Sequence, residues 1–419
     1  MKLSRKKFLI IVSCLFIVAS CSKKNSDTPI NPPADNLPII KNVTPDSGSV
    51  GTVVTITGNN FSTDLTQDVV KFNGVQAIVS SATNSEIKVK VPESATTGKI
   101  TLAIKTYTST SDRDFKVLQA YWVQKVDFAG GYRIFGTGFT AGDKGYLLTG
   151  VTPFQGVIAN DLWEYDSLLN IWTRKADFPG GARQMAIGFS IAGKGYIGTG
   201  FNYGNPDPSL ERKDLWEYNP ALDTWTRKAD MPTVPREYAI AFTISNKAYV
   251  GLGATGGSGG LGTSLNDFWE YDPALDSWTR KADFPGAATL ESIGFSVSGK
   301  GYVGLGANSS GVFSKEIWQF DPTNNTWTRK NDFPAEGRQG GVSININGVV
   351  FAGFGAIVGK LFADFWKYNP ADDNWILQPQ FPGGPRAFPV LLSMGTKGYL
   401  GTGSDSTNNG VKDFWQFNP

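Results

Sequence analysis

The sequence predicts an all-β chain: a small β-sandwich followed by a ring of six four-stranded sheets. Three observations carry this. All twelve tryptophans fall into two interleaved series, Trp122, Trp172, Trp225, Trp278, Trp327 and Trp375, and Trp163, Trp216, Trp269, Trp318, Trp366 and Trp415. The step in each is about 50 residues, long enough for four short strands. Gly makes up 49 of the 419 residues and only 18% are charged, a turn-rich, charge-poor mix. Short alternations of apolar and polar residues, punctuated by Gly, Asn, Ser and Pro, recur along the chain with the period of strands.

The N-terminus reads as an address. Lys2, Arg5, Lys6 and Lys7 precede an apolar run from Phe8 to Ala19, too short for a membrane span and suited to a signal-peptide core. The run ends in Val18-Ala19-Ser20-Cys21, which resembles the lipobox of bacterial lipoproteins. That resemblance implies a leader over residues 1–20, cleavage before Cys21 and lipidation there, so that the chain is held at the membrane through the lipid. Ser22 after the cysteine suits the outer membrane, on its periplasmic or outer side. Residues 21–36 are polar and carry prolines, and read as a disordered tether reaching on the order of 20 Å.

Residues 37–118 form the first folded segment. The runs Val53–Gly58, Val69–Gly74, Glu86–Pro92 and Lys99–Thr106 alternate and are separated by turn residues, the pattern of a small sandwich. Pro45-Asp46-Ser47-Gly48, Gly51 to Gly58, Asn60-Phe61 and Val91-Pro92 resemble the IPT/TIG family of immunoglobulin-like domains. The resemblance implies a spacer or binding module without a catalytic set, and a spacer is expected here.

Residues 119–419 hold the repeats. One unit reads as a first strand "RQMAIGFSI" from Arg183, a turn at Ala192-Gly193-Lys194, a second strand "GYIGTG", a variable loop, a third strand "DLWEY" and a fourth strand "WTRKAD". The glycine-rich second strands, paired tryptophans and arginine-led first strands resemble kelch repeats, which implies a six-bladed β-propeller. The chain ends at "DFWQFNP", short of a sixth fourth strand, while "YWVQKVDF" at Tyr121–Phe128 precedes any blade of its own. The early copy is expected to supply the missing strand and close the ring. On the repeated phrase "WTRKADFP", Arg174, Arg227, Arg280 and Arg329 are expected to face solvent on an outer edge, where charge discourages pairing between molecules. "GLGATG" at Gly251–Gly256 matches a dinucleotide fingerprint by letter but ends a strand and opens no helix.

Candidate functional residues lie where the first strands begin. Arg133, Arg183, Arg236, Arg338 and Arg386 open five of the six blades, and Thr289 stands in blade 4. A ring of guanidinium groups suits a carboxylate, sulfate or phosphate; the same arginines also suit ties to backbone carbonyls or nearby aspartates. Glu237 and Glu291 are the acids placed for proton transfer there. The loops after the second strands carry Phe154, Phe201, Tyr203 and Phe313, suited to stacking on a sugar or peptide or to packing their own loops. Arg133, Arg183, Arg236, Arg338, Arg386, Glu237 and Tyr203 therefore enter as ligand-binding candidates.

Composition narrows the function. There is no histidine, and the two cysteines, Cys14 and Cys21, lie at the extreme N-terminus. The copper site of the galactose oxidase family, built from histidines and a tyrosine–cysteine crosslink, is excluded, and no metal or other cofactor is expected. Near-neutral charge gives no reason to invoke nucleic acid. The expectation is a monomeric, non-catalytic envelope lipoprotein whose propeller face binds a glycan or protein. The alternative is a sugar-acid mutarotase, resembling the sialate epimerases, that uses face arginines and glutamates.

Overall fold

The computed structural model describes residues 37–419 except 93–94, 119, 154–155, 203–210, 257–261, 288–289 and 408. Cys21, Phe154, Tyr203 and Thr289 therefore lie outside the described residues. Every regular element among the described residues is a strand. The chain divides into two compact units, Met1–Leu118 and Gln119–Pro419.

In the first unit, one sheet holds Ile39–Thr44, Val53–Asn59, Glu86–Lys90 and Val79–Ala82 in that order; the other holds Ser47–Ser49, Tyr107–Leu118, Gly98–Ile104, Asp68–Phe72 and Val75–Gln76. Alternation puts Val54, Ile56, Ile87 and Val89 of one sheet and Val70, Ile100 and Leu102 of the other into a single core, all fully buried. Phe72 and Phe115 meet there edge to face at 5.1 Å, a geometry that aromatic quadrupoles favour.

In the second unit, six four-stranded antiparallel sheets form the blades. Blade 2 shows the plan: an inner strand Ile187–Ile191, then Lys194–Gly198, Leu215–Asn219 and an outer strand Thr224–Lys228. The inner strands of the others are Thr137–Ala141 (blade 1), Ile240–Ile244 (blade 3), Ile293–Val297 (blade 4), Val342–Ile346 (blade 5) and Val390–Met394 (blade 6). Each inner strand contacts those of the next and previous blades, and blade 6 returns to blade 1. The ring closes as expected: Tyr121–Lys125 pairs with Phe414–Asn418, with Trp122 opposite Phe417. Blade 6 thereby gains the fourth, outer strand that the other blades have.

The tryptophan phrase is joinery between blades. Trp225, Trp278 and Trp327 donate their indole N–H to the carbonyls of Ala176, Ala229 and Ala282 of the preceding blade at 2.9–3.0 Å. Trp122 packs against Phe354, Phe365, Phe381 and Phe417. Arg174, Arg227 and Arg280 are exposed, each reaching the aspartate three residues on, Asp177, Asp230 and Asp283, at 3.0 Å. The glycine of the second strand permits close blade packing: a Cβ on Gly195 would fall 2.1 Å from the Phe139 ring of the blade before.

Candidate functional site

The inner strands begin later than periodicity suggests. Arg183 does not open a strand; the strand starts at Ile187. The intervening residues make one backbone bridge to the end of the second strand, then turn through a left-handed residue. The bridges are Ile134 to Val151, Gln184 to Phe201, Glu237 to Ala254, Leu290 to Ala307, Gln339 to Ala356 and Ala387 to Ser404. The inner-strand starts and the loops after the second strands thus share one face of the ring, as the sequence suggested.

The five arginines on that face are corrected from ligand-binding candidates to structural clamps. Arg133, Arg183, Arg236, Arg338 and Arg386 are buried, at most 1% exposed. Each pairs with the aspartate that opens the third strand: Asp161, Asp214, Asp267, Asp364 and Asp413. Each also donates to the carbonyl sixteen residues on, as Arg183 does to Thr199 at 2.9 Å and Arg236 to Leu252 at 3.0 Å. Four guanidinium groups lie over a phenylalanine from the preceding linker: Phe128, Phe178, Phe333 and Phe381. The same aspartates accept the indole N–H of the tryptophan two residues on, as at Trp163 and Trp216. Burial is the largest influence on Asp161 and Asp267 and opposes their charge, yet the hydrogen bonds and charge of Arg133 and Arg236 together with the indole N–H of Trp163 and Trp269 outweigh it and hold both carboxyls below the usual range. A cation so enclosed and so paired has little left to offer an incoming anion. Blade 4, which has Thr289 for arginine, also has Glu316 for aspartate, and Trp318 donates to Glu316 instead.

The backbone carbonyls of these arginines tie one blade to the next. Gly150, Gly200, Gly306, Gly355 and Gly403 donate to the carbonyls of Arg183, Arg236, Arg338, Arg386 and Arg133 at 2.7–2.9 Å. The last of these crosses the closure of the ring. Each glycine has φ between 87 and 94° and follows a non-glycine residue that is also left-handed, such as Thr199 at 56°. That paired turn accounts for the Gly-x-Gly repeats, including the dinucleotide-like "GLGATG".

Two residues beyond each arginine position lies the girdle of the axis. Phe135, Met185, Tyr238, Glu291, Gly340 and Phe388 occupy equivalent places in the six blades, all left-handed with φ of 54–61°. Neighbours are linked through backbone: Met185 donates to Phe135, Gly340 to Glu291 and Phe388 to Gly340, at 2.8–3.1 Å. Phe135 and Tyr238, on blades 1 and 3, approach to 6.4 Å. These blades are not adjacent, so the side chains meet across the axis. Sequence reasoning placed Glu291 here but missed the other five. The available signal was a position at a fixed offset from the arginines whose residue type changes from blade to blade.

Glu237 and Glu291 bring acid chemistry to this girdle. Glu237 is fully buried, immediately before Tyr238. Burial first, and the charge of Glu237 second, push the Glu291 carboxyl up to about 8. Its Oε2 is buried with no hydrogen-bond partner among the described residues. Two neighbouring carboxyls of which one keeps its proton at neutral pH can pass protons in both directions. The loop layer adds Arg212, half-buried, whose backbone bridges Arg236 next to Glu237. Of the stacking candidates, Phe201 is fully buried and Phe313 is half-buried.

Comparison with known proteins agrees with this architecture. The IPT/TIG domain family matches residues 38–117 and the kelch motif matches residues 254–285. The solved structure of YjhT superposes with a TM-score of 0.58 at 19% identity, covering 69% of this chain and 95% of that one, which shows a shared fold. N-acetylneuraminate epimerase 1 of Escherichia coli O6:H1 is 33% identical over 92 residues, 22% of this chain and 25% of the relative. N-acetylneuraminate epimerase of Yersinia enterocolitica serotype O:8 is 30% identical over 95 residues, 22% of this chain and 24% of the relative. The chain thus spans about a quarter of the length of the curated relatives it matches. These relatives are enzymes by name, and they overturn the expectation of a non-catalytic binding protein. The chain carries an IPT/TIG domain followed by a six-bladed kelch β-propeller.

Proposed function

We propose that the propeller interconverts the anomers of a sugar acid of the N-acetylneuraminate type. The observation that carries the reading is the Glu237–Glu291 pair beside the axis, with Glu291 protonated at neutral pH. The relatives supply the substrate class.

The chemistry suits such a pair. Glu291, half-buried on the girdle, delivers its proton to the ring oxygen while a water takes the proton of the anomeric hydroxyl. Glu237, fully buried beside it, is a positioning residue whose charge helps keep the Glu291 carboxyl protonated. The bond between anomeric carbon and ring oxygen breaks, leaving an open-chain ketone. Rotation about the adjacent carbon–carbon bond presents the other face, and the hydroxyl closes the ring as both protons return. One C–O bond breaks and re-forms, and nothing is oxidised or reduced. Positioned proton transfer of this kind contributes about 10²–10⁴ in rate. Arg212, in the loop layer next to Glu237, is assigned to the substrate carboxylate; its loss raises KM more than it lowers kcat. Residues 1–20 as a leader and lipid on Cys21 belong to the same proposal, and put the activity in the cell envelope.

The test is magnetisation exchange between the two anomers of N-acetylneuraminate by NMR, with wild type, Glu237→Gln and Glu291→Gln. Catalysed exchange that drops at least 100-fold in Glu291→Gln, with a pH profile moved to lower pH in Glu237→Gln, supports the assignment. Exchange that persists unchanged in both removes the pair from the mechanism.

A further inference from the structure

The girdle is uneven in a way that points to a specificity subsite; the inference rests on the reading above. Blades 6, 1 and 3 contribute Phe388, Phe135 and Tyr238, and blade 2 contributes Met185. Phe135 and Phe388 lie 4.4 Å apart between ring centroids, tilted by 53°, and Phe135 meets Tyr238 at 6.4 Å and 79°. The rings therefore converge on the axis from three blades. All three are only half-buried, so each keeps a surface open to solvent although its backbone is fixed in the girdle. Blade 5 makes room for this: a Cβ on Gly340 would fall 2.5 Å from the Phe388 ring. Any side chain at position 340 must displace that ring.

Glu291 sits on the same girdle, between Tyr238 and Gly340 in ring order. A sugar acid with its anomeric centre at Glu291 extends its opposite side over the aromatic residues. Aromatic faces attract C–H groups and methyls and offer no partner to a free hydroxyl. We infer that Phe135 and Phe388 form an acyl subsite, selecting sugar acids that carry an N-acyl methyl over those bearing a hydroxyl at that carbon. They act as specificity-determining residues and take no part in proton transfer.

The experiment compares catalysed anomer exchange of N-acetylneuraminate with that of its deaminated analogue, which carries a hydroxyl in place of the acetamido group. The full chain is used as wild type, Phe135→Ala, Phe388→Leu and Gly340→Ala. Burying or losing a small apolar group in such a pocket changes kcat/KM by about 10–200-fold. Wild type is expected to prefer the N-acetyl sugar by at least 10-fold. The preference is expected to collapse toward unity in Phe135→Ala and to fall in Gly340→Ala, because turnover of the N-acetyl sugar drops by more than that of the deaminated sugar. Phe388→Leu keeps an apolar side chain of similar bulk, so it retains the fold and loses part of the preference. A preference unchanged in all three variants, with exchange intact, overturns the subsite alone. No exchange of either sugar by wild type overturns the functional reading, and the subsite with it.

Discussion

Replacing Glu291 by glutamine has a thermodynamic signature that can be worked out from the structure. The folded chain holds this carboxyl at about 8, against an ordinary value of 4.5, through burial and the charge of Glu237. Below pH 4.5 folded and unfolded chains both carry the proton. Between 4.5 and 8 only the folded chain does, so wild-type stability falls as pH rises through that window and levels off above it. At about 1.4 kcal/mol per pH unit, the penalty reaches at most about 3.5 kcal/mol at pH 7 and about 5 kcal/mol above pH 8. Glutamine is neutral throughout and escapes the penalty. The variant should match wild type near pH 4.5 and exceed it by a margin that widens toward pH 8. Urea unfolding followed by tryptophan fluorescence is the assay, and it reports the propeller because every tryptophan lies at or beyond Trp122. Stability curves that run parallel from pH 5 to 8 would refute the account of a strained, protonated Glu291.

Two further outcomes follow from the same geometry, and a third from the N-terminal sequence. Arg236→Ala leaves the half-buried Asp267 without its bidentate partner, and urea unfolding should show a loss of about 3 kcal/mol; the equivalent change at any other clamp should cost a similar amount. Trp122→Ala should destabilise the propeller by about 3 kcal/mol, as much as Trp225→Ala, because the early strand is a full member of blade 6. An unfolding midpoint unmoved by Trp122→Ala would mean that closure by Tyr121–Lys125 contributes nothing. Cys21→Ser should move the protein from the membrane fraction to the soluble fraction and abolish incorporation of labelled fatty acid.

Much of the architecture was legible because the residues that build it are large and repeat. Tryptophan is rare enough for two series of six to count the blades, and the stray copy at Trp122 foretold the closure. The role of the arginines was less legible. Burial depends on the linker phenylalanine five residues before the arginine and on the aspartate two residues before the third-strand tryptophan, which lies 26–31 residues from the arginine in sequence. Within the chain the link was nevertheless written once: blade 4 loses both members, with Thr289 and Glu316 in their places. The axis was illegible for the opposite reason. Phe135, Met185, Tyr238, Glu291, Gly340 and Phe388 share a backbone conformation but no chemistry, so their relation emerges only when the ring is assembled. Local pattern also ran the inner strands four residues too early, since Arg183–Ala186 looks extended but carries a left-handed turn at Met185.

The most direct measurement is the pH dependence of catalysed anomer exchange on N-acetylneuraminate, read by NMR with the full chain. The account predicts exchange well above the spontaneous rate, falling as pH rises through about 8 as Glu291 loses its proton, and absent in Glu291→Gln at every pH. An exchange rate no faster than that of the sugar alone, across the whole range, would contradict it.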